Sequence, residues 1–156
     1  MSTRMSGPEE KLAELGLTVP DVVKPVAAYV PAVRSGLSVY TSGQLPMRDG
    51  SLMATGKVGA EVTAEQAYEC AQQCALNAIA AVKAEIGDLS LVKRVVKVVV
   101  FVASAPEFTS QPAVANGASE LLGKAFGEAG QHARSAVGVA ALPLDAPVEV
   151  EIVVEL

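Results

Sequence analysis

"SLVKRVVKVVVFVAS", residues 90–104, is the stretch that decides the fold. Val92, Val96, Val98, Val100 and Val102 alternate onto one face, with Arg94 among them. The other face carries Lys93 and Lys97 and then turns apolar at Val99 and Phe101. β-Branched residues at a period of two predict a strand. One face reads as fully buried and the other as half-buried. A sheet with helices on one side and another subunit on the other would give that pattern.

Helices flank this strand on both sides. "TAEQ", starting at Thr63, has the form of a capping box with Gln66 at its third helical position. Ala67, Cys70, Ala71, Cys74, Ala78, Ala81 and Val82 then recur at helical spacing, and Gly87 is a natural stop. Residues 112–130 predict a second helix, with Pro112 in its first turn. Its apolar stripe is Val114, Ala118, Leu121, Leu122, Ala125 and Phe126.

Strand pairs are expected at both ends. Residues 27–44 read as two strands joined at Arg34-Ser35-Gly36, with Pro31 placing the first at an edge or a bulge. Residues 133–142 and 148–155 read as a second hairpin around the Pro143–Pro147 turn. Between the first pair and the long helix, Pro46 to Glu61 forms a long excursion with one short strand near Leu52 and Met53. A short helix is expected over residues 9–17, stopping near Gly16. The expected order is β-β-α-β-α-β-β: an α+β sandwich, with two helices packed on one face of a mixed sheet. Residues 1–8 are expected to be a flexible lead-in and 9–156 a single domain.

Composition narrows the function. Apolar residues make up 51% of the chain, aromatics only 4%, and there is no Trp. A surplus of aliphatic surface on a small domain points to association between copies. Net charge is −5, with 12 basic residues against 17 acidic ones, so a phosphate-backbone partner is not expected. The longest apolar run, "VVVFVASA", is far short of the roughly 18–20 residues of a spanning helix. Cys70 and Cys74, four apart on a helix, suit buried thiols in a cytoplasmic protein better than a disulfide or a metal site.

Arg134 is the side chain with most to explain, because an arginine entering a buried strand needs a partner. A structural ion pair with Glu151 or Glu155 across the expected hairpin is the plain explanation. Against it, Arg134 shares its strand face with Ala136, Gly138 and Ala140, so small neighbours leave a hollow beside the guanidinium. Arginine recognises carboxylates bidentately, so a ligand carboxylate fits that hollow. In the hairpin register Arg134 pairs near Glu155, and Glu149 lies near Ala140, about 20 Å away at ~3.3 Å per residue. The two could then share a site only across a subunit interface. "TSGQ" at 41–44 lacks the spacing of a phosphate loop or a nucleophile elbow, yet could bind a small polar ligand at a strand end. His132, the only histidine, reads either as a general base or as a hydrogen-bonding residue before the strand.

"YTSGQLP" at 40–46, "ARS" at 133–135, and "LP" at 142–143 followed by "VEVE" at 148–151 together resemble the Rid (reactive intermediate deaminase), or YjgF-like, family. The resemblance implies a chorismate-mutase-like fold, a homotrimer with clefts between subunits, and cofactor-free hydrolysis of 2-imino acids to 2-keto acids and ammonia. It places Arg134 on the carboxylate-binding arginine and Glu149 on the acid that helps to hold the attacking water. Tyr29, Ser42, Gly43, Asn116 and Ala136 fall on cleft-lining positions, and no metal or cofactor is implied. The alternatives are binding of small carboxylates without turnover and, third, endoribonuclease activity. Two features depart from the family pattern: His132 stands where Pro is usual before Ala-Arg, and the Pro46–Glu61 loop is longer.

Overall fold

The computed structural model describes residues 7–25 and 28–156. Residues 1–6 of the expected lead-in, and Ala27 at the expected start of the first strand, lie outside them. In chain order the elements are α1 (Gly7–Glu14), β1 (Ala32–Ser35), β2 (Ser38–Thr41), β3 (Met47–Arg48), β4 (Ser51–Leu52), α2 (Ala64–Ile86), β5 (Arg94–Ala103), α3 (Gln111–Phe126), β6 (Ala133–Val139) and β7 (Val148–Glu155). Five strands form one mixed sheet in the order β1-β2-β7-β5-β6, and β3 and β4 form a separate small hairpin.

The expected α+β sandwich is present. Helices α2 and α3 pack on each other and on one face of the sheet, where Val95, Val98, Val100, Val102, Val148, Val150, Ile152 and Val154 are buried. Burying a valine side chain fully contributes about 1.5–3 kcal/mol, so this ladder is the main source of cohesion. The Thr63 capping box forms as read: Thr63 Oγ1 accepts from Gln66 N–H, and Gln66 Oε1 accepts from Thr63 N–H. All six residues of the α3 stripe are buried, as are both unpaired cysteines. Among the described residues no helix is long and apolar enough to cross a membrane.

The second hairpin is not formed. Strands β6 and β7 are not neighbours: β5 lies between them, antiparallel to β7 and parallel to β6. A parallel pair needs a crossover connection, and α3 supplies it. Arg134 therefore stands beside Val98, while Glu155 pairs with Arg94 and Ser38, and Glu149 with Phe101.

A bulge between Val95 and Lys97 shifts the phase of β5, so Val95 rather than Val96 joins the buried face. Val96 and Arg94 are exposed instead. The turn between β1 and β2 lies at Gly36-Leu37, sharing only Gly36 with the expected Arg34-Ser35-Gly36 turn, because Arg34 and Ser35 still belong to β1.

The Pro46–Glu61 excursion holds two strands rather than one. Its hairpin turns on Asp49 and Gly50, both at positive φ (54° and 84°), the Asp-Gly signature of a tight turn. Buried Asn77 of α2 fastens its start by donating to the carbonyls of Leu45 (3.0 Å) and Met47 (2.9 Å). Its far end is held where Val58 N–H donates to Ala103 O (2.7 Å) and Lys57 pairs with Asp145 (3.0 Å).

Candidate functional site

Parity along the strands divides the expected site residues between the two faces of the sheet. Arg134 and Ala136 lie level with buried Val98 and Val100, so they face the helices. Glu149 lies level with Phe101 and faces the opposite side. Two strand spacings and three residues of offset put their Cα atoms roughly 14 Å apart. They do not meet within one chain, although the reason is the intervening β5 and the opposed faces rather than the length of a hairpin.

On the helix side, Asn116 and Ser119 stand one turn apart on α3, beside its apolar stripe, and both reach β6. Arg134 Nη1 donates to Asn116 Oδ1 (2.8 Å) and to Ser119 Oγ (3.1 Å). A guanidinium can only donate, so this contact turns the Asn116 amide nitrogen away from it. Both hydrogens of Nη1 are thus engaged by neutral oxygens. Nε and Nη2, the side-on fork that suits a carboxylate, make no hydrogen bond among the described residues. Nor does Arg134 form an ion pair there, so the structural pairing with Glu151 or Glu155 is absent. The hollow expected over the small residues of this face is filled at Gly138, where a Cβ would meet Gln111 Nε2 at 2.8 Å and Ser104 Oγ at 3.2 Å. Ala136, next along the same face, is partly buried and packs against the core.

On the other side, Gln44 pairs with Val150 in both directions: Gln44 N–H donates to Val150 O (2.8 Å) and Val150 N–H to Gln44 O (3.0 Å). This brings Gly43 against Glu149. A Cβ on residue 43 would lie 2.0 Å from Glu149 Oε1, so only glycine leaves room for the carboxylate in this position. Burial first, and the nearby Glu151 charge second, raise the Glu149 pKa above the ordinary carboxylate value. A half-buried carboxylate of raised basicity can hold a water and accept its proton. Ser42 is committed elsewhere: its hydroxyl donates to Val30 O (2.6 Å) and its N–H to Pro31 O (2.8 Å). It braces the segment carrying Tyr29 instead of offering a free hydroxyl.

Tyr29 and Gly43 line a cavity of about 90 Å³ with Pro31, Leu45, Met47 and Leu144. Leu144 and Asp145 both have left-handed backbones (φ 59° and 60°), a conformation costing non-glycine residues about 1–2 kcal/mol each. Gly56 N–H and Lys57, both from the long loop, hold Asp145 there. The strained turn presents Leu144, 61% exposed, at the cavity. Nothing in the sequence signals it, since leucine is among the least expected residues in that conformation. A larger hollow of about 610 Å³, between residues 16–24, the β3–β4 hairpin and α2, contains none of the expected site residues.

His132, left open between base and hydrogen-bonding residue, points towards α3. Its Nδ1 lies 2.6 Å from Gly130 O and its Nε2 2.9 Å from Ser119 Oγ. Both ring nitrogens are engaged inside the chain. Ser119 was not anticipated. Its signal was available in two same-face spacings, Asn116 to Ser119 on a helix and His132 to Arg134 leading into a strand.

Comparison with known proteins agrees with this architecture. Residues 9–156 match the family described as "YjgF/chorismate_mutase-like, putative endoribonuclease". The chain is 49% identical to Protein TCP17 of Trypanosoma cruzi over 93% of its own length and 91% of that protein. It is 34% identical to a 2-iminobutanoate/2-iminopropanoate deaminase of Dermatophagoides farinae, over 88% of this chain and 93% of the relative. The crystal structure of protein Atu1372 of Agrobacterium tumefaciens, whose function is unknown, superposes with a TM-score of 0.90 at 49% identity, covering 96% of this chain and 92% of that one. With its mixed sheet, its two packed helices and a family match running from residue 9 to the C-terminus, the chain belongs to the YjgF/chorismate-mutase-like family.

Proposed function

We propose that this protein hydrolyses 2-imino acids to 2-keto acids and ammonia, in a cleft where Arg134 of one copy faces Glu149 of the next. The observation that carries the reading is the Nε/Nη2 fork of Arg134, oriented by neutral partners and without a carboxylate partner among the described residues. The imine carbon of such a substrate is bonded directly to its carboxylate carbon. A water attacking that carbon must therefore lie within a few ångströms of the arginine. Glu149, on the opposite face of its own sheet, meets this requirement only from another copy. A ring of three copies is the arrangement we favour. Val33, Tyr40 and Val137, about half exposed on the face away from the helices, supply apolar area for such contacts.

In the reaction, Arg134 fixes the substrate through its carboxylate, with Ala136 and Asn116 beside it and Tyr29, Gly43 and Leu144 around the side chain. Glu149 holds the water and takes its proton as the C–O bond forms, the C=N π pair moves to nitrogen, and Glu149 returns that proton to the nitrogen. The resulting carbinolamine passes its hydroxyl proton to nitrogen. The C–N bond then breaks, its electron pair leaves with ammonia, and the keto group forms. The imine carbon is already electrophilic, so orientation and a placed base supply what this chemistry needs.

The name of the D. farinae relative supports the activity. Carboxylate binding without turnover would use the same arginine and leave Glu149 without a task. Endoribonuclease activity fits poorly with a net charge of −5 and one histidine whose ring nitrogens are both engaged. We place the protein in the cytoplasm, where the two unpaired thiols would stay reduced.

The test is to generate 2-imino acids in situ with an amino-acid oxidase, trap the remaining imine with semicarbazide, and follow its loss. Wild type should accelerate the loss and Arg134→Ala should abolish the acceleration. No acceleration by folded wild type across small and large side chains would rule out the enzyme.

A further inference from the structure

His132 departs from the family pattern, and the reaction above does not use it. Its hydrogen bonds have a fixed sense. Gly130 O can only accept, so His132 Nδ1, 2.6 Å away, carries the ring proton. In the neutral ring Nε2 is then an acceptor, and the Ser119 hydroxyl, 2.9 Å away, must be the donor. With its hydrogen turned to His132, Ser119 presents lone pairs to Arg134 Nη1 at 3.1 Å. Asn116 Oδ1 takes the other Nη1 hydrogen at 2.8 Å. One carbonyl thus sets the direction of every bond in the chain Gly130–His132–Ser119–Arg134.

We propose that Ser119 and His132 are positioning residues that fix the rotation of the Arg134 guanidinium, so that its Nε/Nη2 edge is the fork offered to the ligand. This rests on the reading that Arg134 receives a ligand carboxylate. Neutrality is the point of the device. An aspartate or glutamate at position 116 or 119 would hold the guanidinium as firmly, but would also neutralise it and compete with the ligand. Asn116 and Ser119, with His132 behind Ser119, orient the charge and leave it for the ligand. Without Ser119 one Nη1 hydrogen is released and the group can turn towards an end-on presentation. Without His132 the Ser119 hydrogen loses its acceptor and no longer keeps the lone pairs aimed at Nη1. His132 acts through Ser119 and touches neither substrate nor water.

Calorimetric titration with 2-oxobutanoate, a stable carboxylate of the product class, tests this on the intact protein, alongside steady-state imine hydrolysis. His132→Asn keeps a donor for Gly130 O but is too short to reach Ser119. His132→Gln puts an amide oxygen where Nε2 stands. Ser119→Ala and His132→Asn should each weaken 2-oxobutanoate binding about 5–20-fold, with KM rising in step and kcat changing less than about threefold. His132→Gln should recover most of the affinity that His132→Asn loses.

Arg134→Ala separates the two levels of the argument. If it binds 2-oxobutanoate as wild type does, the carboxylate reading fails and the positioning role with it. If it loses binding while Ser119→Ala and His132→Asn bind as wild type does, only the positioning role is overturned. His132→Gln no better than His132→Asn would overturn the part given to His132. Should either histidine variant fail to fold, Ser119→Ala decides alone, since alanine is well tolerated within a helix.

Discussion

On the helix side of the sheet, Arg134 gives both Nη1 hydrogens to neutral oxygens and keeps a fork unpaired; on the other side, Glu149 is pressed against Gly43 with Glu151 nearby and its pKa raised. The arginine is held by hydrogen bonds that leave its charge intact. The carboxylate is held by burial and repulsion that make its ionised form less comfortable. One arrangement suits binding, whose strength depends on an undiminished charge. The other suits proton transfer, which depends on a base made stronger than it would be in water. On the proposed reading, binding and chemistry can therefore be damaged separately.

The largest effect is expected on the arginine side. Arg134→Ala should lower kcat/KM at least ~1,000-fold in the imine-loss assay, and Arg134→Lys about 100-fold, because a point charge does not replace the planar fork. Equal activity of Lys and Arg at this position would show that only charge matters.

Next comes Glu149→Gln. It should lower kcat about 100-fold and leave 2-oxobutanoate affinity within about threefold of wild type. A raised folded-state pKa means that the stability linked to Glu149 is complete below the unfolded carboxylate pKa and is lost as pH rises through the raised value. Removing the charge should therefore raise Tm by about 1–3 °C at pH 7–8, a modest gain because the group is only half-buried, and the gain should vanish below about pH 4. An unchanged kcat would favour binding without turnover.

Gly43→Ala sharpens the comparison from the backbone. The atom in the way is the end of the Glu149 side chain, which can swing aside. We expect kcat to fall about 10–50-fold with Tm within about 3 °C of wild type, measured by calorimetry. A large loss of stability with normal kcat would mean that the glycine serves folding alone. The smallest effect belongs to Lys57→Ala, which removes an exposed ion pair worth about 0.5 kcal/mol. Tm should fall by no more than about 2 °C. KM for imines with larger side chains should rise more than for small ones, as the Leu144 turn loosens.

Much of the fold could be read where local chemistry and final structure agree. The Thr63 capping box, the α3 stripe and the alternation of Val98, Val100 and Val102 each announce their element within a few residues. The partner of β6 could not be read in this way. Two strands separated by a Pro-rich turn look like a hairpin, and nothing nearby reveals that a strand some thirty residues upstream lies between them. The β5 bulge was equally silent, because valines on both sides of it make either phase plausible. For the site, Arg134 stood out as a charge among small residues and Glu149 through its motif. Asn116 came by resemblance. Ser119, one small polar residue beside a helix stripe, was marked only by its one-turn spacing from Asn116, a signal that gains meaning once Arg134 is placed opposite.

The claim that the site is shared between copies has a direct test. Chains carrying Arg134→Ala and chains carrying Glu149→Gln would be co-expressed in equal amounts and their mixed assemblies isolated and assayed for imine hydrolysis. In the proposed three-copy ring each interface takes its arginine from one copy and its glutamate from the next, so every mixed ring has one intact interface in three and about one third of wild-type activity should return. Activity no greater than that of the two variants assayed separately, in assemblies shown by mass spectrometry to be mixed, would contradict the account and return Arg134 and Glu149 to separate tasks within one chain.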